Sequence, residues 1–205
     1  MLLKRYFWIS VSILLLSLSA GAIYPEWIRT PVAVTVNNLE GVVHEIDKDN
    51  LNFFLFVLLK NLSVALFVIF VWEIARFGNR LRRSLARVLP FKLVQQILSV
   101  PVERSAKFIP VVVLVVNGLI ISGAVWYFST EGIPASVSAL GMLPHGIPEL
   151  SALCLACGIG MSDMMAHDRA RTFFRLVLPL FVVAAVLETW ISPLVMAWMW
   201  AKTGL

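Results

Sequence analysis

The sequence predicts an all-α, polytopic transmembrane helical bundle of about five spans, with its amino terminus in the cytoplasm. Three observations carry that expectation. Hydrophobic residues make up 60% of the chain against 14% charged, and mean hydropathy is +0.87, so the solvent for most of its surface is hydrocarbon. Several apolar runs reach the roughly 20 residues a helix needs to cross about 30 Å of hydrocarbon, whereas barrel strands would show about 10 alternating residues. The basic residues gather at one set of run ends, which fixes an orientation.

Taken in order, the first run is residues 7–23. Lys4 and Arg5 before it and Ala20-Gly21-Ala22 at its end also suit a cleaved signal peptide; an uncleaved anchor is the expectation kept. An external loop, residues 24–50, carries Glu26, Glu40, Glu45, Asp47 and Asp49 against Arg29 and Lys48, with no repeat or catalytic motif. The second run is 51–75, followed by a basic cytoplasmic segment at 76–107. The third is 108–128, the fourth 145–163 with a polar beginning, and the fifth 173–190. Residues 191–200 are short and hold Pro193; with Trp190, Trp198 and Trp200 they suit an outer interfacial segment rather than a sixth crossing. Residues 1–205 thus form a single membrane domain, without a soluble one.

Arg76, Arg80, Arg82, Arg83, Arg87, Lys92, Arg104 and Lys107 separate the second and third runs, and Arg169, Arg171 and Arg175 flank the last connection. With Lys4 and Arg5 they place 13 of the 17 Lys and Arg on one side, which is therefore cytoplasmic, leaving the carboxyl terminus outside. The net charge of +5 is accordingly a sign of orientation and not of nucleic-acid binding. Residues 80–87 read as amphipathic, with Leu81, Leu85, Val88 and Leu89 toward lipid tails and the arginines toward anionic headgroups, until Pro90 interrupts them. A cytoplasmic protein partner is the other reading of that segment. The expected partners are the lipid bilayer and other membrane or envelope proteins.

Polar residues within the runs carry information, because a charge at a helix centre costs about 2.5–3.5 kcal/mol unless it finds a partner. Lys60, Asn61, Asn117, His145, Glu149 and Glu188 are the ones to explain. At about 1.5 Å of rise per residue, Lys60, His145, Glu149 and Glu188 fall in the outer half and Asn117 near the middle, so one outward-opening polar cluster accommodates the set. The stretch "LPHGIPEL", residues 143–150, reads first as a helix beginning. Pro148 suits a first turn, Glu149 then meets the positive end of the helix dipole, and Gly146 permits a close approach or an unusual dihedral. His145 and Glu149 alone make a poor metal site, Glu188 is the one obvious third ligand, and Lys60 would oppose a cation. Hydrogen bonding and ion pairing come first among the readings, a transport or proton role second, catalysis or metal third; no catalytic residue, metal or cofactor is expected. Lys60 lies too deep to snorkel, so an ion pair with Glu149 or Glu188, direct or through water or His145, is expected. Cys154 and Cys157 read as small packing residues rather than redox or metal ligands. Gly118 and Ser122 present a small face for a neighbouring helix.

"LPHGIPEL" followed by the small residues of "SALCLACGIG" resembles the signature of the stage II sporulation protein M family, integral membrane proteins with a His-Gly-x-x-Glu element. "LLKNLSVALFVIF" (58–70), "VLVVNGLIISG" (113–123) and "AAVLETWISP" (184–193) resemble other family elements in the same order. The resemblance implies that Asn61, Asn117 with Gly118, His145 with Gly146, Glu149 and Glu188 are the family's polar positions. Lys60 departs from it, standing where the family often has a second asparagine. The resemblance also implies a multi-pass protein of a prokaryotic plasma membrane. Since the founding member resembles a scaffold that localises peptidoglycan-degrading enzymes, it further implies a non-enzymatic scaffold or membrane-complex subunit linked to envelope remodelling. The alternative is a permease-like subunit in which a helix interrupted at residues 146–148 shapes an outer-half polar cavity. An intramembrane hydrolase using Glu149 or Glu188 as base lacks a His-Glu-x-x-His motif.

Overall fold

A computed structural model of the protein describes residues 2–27, 29–30, 32–34, 49–88 and 106–203. Most of the expected acidic loop, including Glu40, Glu45 and Asp47, lies outside the described residues, as do Leu89, Pro90, Lys92 and Arg104 of the basic segment. The described chain is helical throughout, and five of its helices are long and apolar enough to cross a membrane. They are α1 (Leu2–Ile23), α2 (Asn50–Ile69), α4 (Ile109–Thr130), α5 (Ala135–Met161) and a last rod spanning Ala166–Lys202. Between α2 and α4 lies α3 (Val71–Val88). The rod consists of α6 (Ala166–Thr172), α7 (Leu178–Val186) and α8 (Ser192–Thr203), joined through π-helical turns at Phe173–Val177 and Leu187–Ile191.

Local chemistry explains where α2 starts and stops. The Asp49 carboxylate accepts the Leu51 N–H at 3.0 Å, an N-cap that satisfies one otherwise orphaned donor. The run expected to continue through residue 75 instead breaks at Phe70, and α3 begins at Val71 as a separate amphipathic helix. Along it Ile74, Phe77 and Leu81 are exposed. That spacing is one stripe of a helix lying on an apolar solvent, in keeping with a bilayer surface.

The centre of the bundle is α5. Ala152, Cys154, Ala156, Cys157, Gly158 and Gly160 are all buried along it, and their small size lets neighbouring backbones approach. A Cβ on Gly158 would stand 3.2 Å from the Phe7 backbone nitrogen of α1, and one on Gly160 would press on the Val68 carbonyl of α2. On one flank of α5, Ala65, Ile69, Ala156, Ile159, Phe173 and Phe181 bind it to α2 and the rod. On the other, Leu14, Val68, Leu114, Leu153, Cys154 and Cys157 bind it to α1, α2 and α4. The two cysteines are free and buried members of that packing.

Two sequence expectations need correction. Helix α5 begins at Ala135, not at residue 145, so Pro144 and Pro148 lie inside it and Glu149 is far from its positive end. Each proline removes one N–H from the ladder, releasing the carbonyls of Leu140 and Pro144, yet the helix is not interrupted at residues 146–148. Tertiary packing holds it: α8 runs beside its early turns, with Met196 seated against Gly141. The second concerns residues 191–200, which make no sixth span, as expected, but are helical and continue the last rod as α8. At about 1.5 Å per residue the 37-residue rod is about 55 Å long, more than a bilayer core requires.

Candidate polar site within the bundle

The polar residues singled out in the sequence divide into those that meet and those that do not. His145 and Glu149 lie one turn apart on α5, and Glu188 reaches them from the rod. One ligand-capable atom of each lies within 4.8 Å of the others. His145 Nδ1 is 2.7 Å from the hydroxyl of Ser192, a buried residue at the start of α8. Among the described residues, this is the group of three or more His, Cys, Asp or Glu side chains whose spacing could hold a metal ion.

Glu188 lies at the start of an irregularity with a cause. Pro193 has no N–H to give to the Thr189 carbonyl, and the turn just before it widens so that Ser192 N–H bonds to the Leu187 carbonyl, five residues back. The same pairing of a π turn with a proline occurs at Phe173–Val177, where Leu178 N–H bonds to Phe173 ahead of Pro179. An extra residue in a turn rotates everything beyond it by about 100°, which decides the face on which Ser192 stands relative to Glu188. Thr189 is buried beside them and donates to the Ala185 carbonyl at 2.8 Å.

From α2, Asn61 and Lys60 take different directions, as adjacent helical residues must. Asn61 is only 7% exposed, and its amide faces the Glu149 carboxylate while Nδ2 lies outside hydrogen-bonding geometry with any group. Lys60 is exposed and forms no direct ion pair with Glu149 or Glu188. Its charge acts through space on His145, Glu149 and Glu188. The contact ion pair expected from the sequence is therefore absent among the described residues, because Asn61 holds the inward position.

Asn117 does not join the cluster; its Nδ2 donates to the Val113 carbonyl of its own helix at 2.8 Å. Gly118 meets α1 as expected: a Cβ there would collide with the Ser17 hydroxyl and stand 3.0 Å from the Leu14 carbonyl. Ser122, half-buried, donates to the carbonyls of Gly118 and Leu119, each at 3.0 Å. Gly146 has nothing within contact distance of where a Cβ would stand and helix-compatible backbone, so neither reason proposed for that glycine holds. It borders a cavity of 270 Å³ between α1, α4 and α5, together with Leu18, Ile121, His145, Glu149 and Leu150.

Two residues escaped the sequence reading. Ser192 carried a signal in hindsight, since Pro193 beside it marks a perturbed turn. Arg169 was counted as one more flanking cation, yet it is 5% exposed. Its guanidinium donates to the carbonyls of Met164 at 2.9 Å, Ile69 at 3.0 Å and Ser162 at 3.1 Å, and to Glu73 Oε2 at 3.2 Å. It thereby closes the α2–α3 break and the α5–α6 connection at once. Nothing in a string of basic residues distinguishes the one that turns inward.

Residues 104–193 match the model of the Stage II sporulation protein M family. The match takes in Asn117, Gly118, His145, Gly146, Glu149, Arg169, Glu188 and Ser192, and leaves Lys60 and Asn61 outside it. No curated protein and no solved structure matches the chain.

Proposed function

We propose, on the premise that residues 104–193 match the Stage II sporulation protein M family, that this polytopic membrane protein is a non-enzymatic scaffold or subunit of a membrane complex. A prokaryotic plasma membrane and a link to envelope remodelling go with that reading. The observation that supports it is how the bundle uses its polar groups: His145 with Ser192 joins α5 to α8, and Arg169 joins α2, α3 and α5 to α6. Polar groups used in this way hold helices in register, which a presenting platform needs. The exposed stripe of α3 supplies a surface on the basic side.

Purification of the tagged chain from its own membranes in mild detergent, after brief cross-linking, tests the proposal. A stoichiometric membrane or envelope protein should accompany it. A chain that runs alone after cross-linking would count against the scaffold.

A second reading, the permease-like subunit, draws on the 270 Å³ cavity bordered by His145 and Glu149. Solute uptake by liposomes containing the purified chain would favour it over the scaffold.

A further inference from the structure

The geometry points to a binding site for one divalent transition-metal cation, of the zinc or manganese type, held by His145, Glu149 and Glu188. It does not rest on the scaffold reading, and a chain with no partner could still bind the ion.

The donor set has the right composition. An imidazole nitrogen and two carboxylates suit a borderline divalent ion, and three protein ligands with further positions left to water is a common arrangement. The spacing is within reach of closure. Ligand bonds of about 2.0–2.2 Å hold tetrahedral ligands about 3.4 Å apart, and the three atoms already lie within 4.8 Å of one another. Carboxylate rotation can supply the remainder without moving a helix. The cavity beside His145 and Glu149 has room for water as the remaining ligand.

The surroundings point the same way independently. Asn61 is 7% exposed, faces Glu149, and leaves Nδ2 without a hydrogen-bond partner, so a buried donor is aimed at a carboxylate in the cluster. In the closed site it would hold the Glu149 oxygen that does not bind the ion, as outer hydrogen bonds to ligating carboxylates do. Ser192 engages His145 Nδ1 at 2.7 Å. Since Ser192 occupies Nδ1, metal binding through Nε2 requires the tautomer in which Nδ1–H donates to that hydroxyl, which makes Ser192 a positioning residue. Charge completes the case. Two carboxylates approach each other inside the bundle, and the one cation near them among the described residues, Lys60, is exposed and not in contact with either. Like charges so placed are relieved by a proton on one carboxylate or by a cation between them, and the histidine beside them favours the cation.

The objection from sequence was that His145 and Glu149 alone make a poor site, with Glu188 the one obvious third ligand, and that Lys60 opposes a cation. The fold brings Glu188 to His145 and Glu149, and the outward direction of Lys60 weakens the opposition without removing it.

The test uses the full chain in detergent, stripped with a chelator and titrated with Co²⁺ as a spectroscopic probe and Zn²⁺ as competitor. One Co²⁺ per chain should bind, with the visible absorption of a low-coordinate protein site, displaced by Zn²⁺, and Zn²⁺ should raise the melting temperature. Glu188→Gln and Glu149→Gln keep side-chain size and remove a buried negative charge, so they should fold; each should weaken binding by about 100-fold or more. Ser192→Ala should weaken it by about 10- to 100-fold and alter the Co²⁺ spectrum. Lys60→Met should tighten it by about tenfold, because it removes the opposing charge. Absence of binding, a spectrum like that of the hydrated ion, or equal binding by the wild type and by folded Glu188→Gln would each overturn the site.

Discussion

Gly118 and Gly146 are both helical glycines, and their surroundings differ completely. Gly118 is where α1 and α4 touch, so a side chain there must displace Ser17 or push the helices apart. Gly118→Val should lower unfolding stability in detergent by about 1–3 kcal/mol, read from denaturant titration with a helicity signal. Gly146 faces open space inside α5, where glycine only adds disorder to the unfolded chain. Gly146→Ala should therefore be tolerated and raise stability by about 0.5–1 kcal/mol. Loss of stability in Gly146→Ala would mean that something must approach the backbone there after all. Lys60 and Asn61 make the same point with polar residues: neighbours in sequence, they differ in exposure because a helix turns about 100° between them.

At the scale of elements, the bundle depends on irregular places held by specific groups. Three carbonyls from the α2 end and the α5–α6 connection converge on the Arg169 guanidinium, which is buried. Arg169→Met removes the donor and leaves those buried acceptors unsatisfied, so it should cost about 2–5 kcal/mol. Glu73→Gln should cost less, about 1 kcal/mol, since the Glu73 side chain is 37% exposed and water can replace the lost contact. Both are measured by the same denaturant titration, and equal losses would show that the ion pair, not the carbonyl cage, carries the joint. The two π turns are a second such device. Each precedes a proline that cannot donate, and the second sets Ser192 on the face it shares with His145.

For the whole molecule, the acidic cluster and the Arg169 cage lie toward different ends of the bundle. Glu149 and Ser162 on α5 are separated by about 20 Å at the helical rise, so the negative groups collect at one depth and the buried cation at another. Basic flanks on the Arg169 side are the ground for proposing that it faces the cytoplasm, which labelling tests. In a variant with Cys154 and Cys157 replaced by alanine, a thiol introduced as Glu26→Cys should react with an impermeant reagent on intact cells, and one introduced as Arg80→Cys should react only after permeabilisation. The reverse pattern would invert the orientation.

Composition and run length determined that the chain is a helical membrane bundle, because hydrocarbon tolerates only backbones that satisfy themselves within a segment or a closed barrel. The five spans and the identity of the polar residues inside them followed from the same constraint, since each exception to apolarity is conspicuous. What a one-dimensional string cannot hold is direction. The prolines at 144 and 148 read as a helix beginning because isolated segments break there, and only packing along α8 and the neighbouring helices carries α5 through them. Tertiary structure likewise decided that Asn61 and not Lys60 points inward, that Arg169 among the flanking cations is buried, and that Glu188 meets His145 and Glu149. Each is a choice between rotations that differ by little in local energy and by much in what the side chain meets.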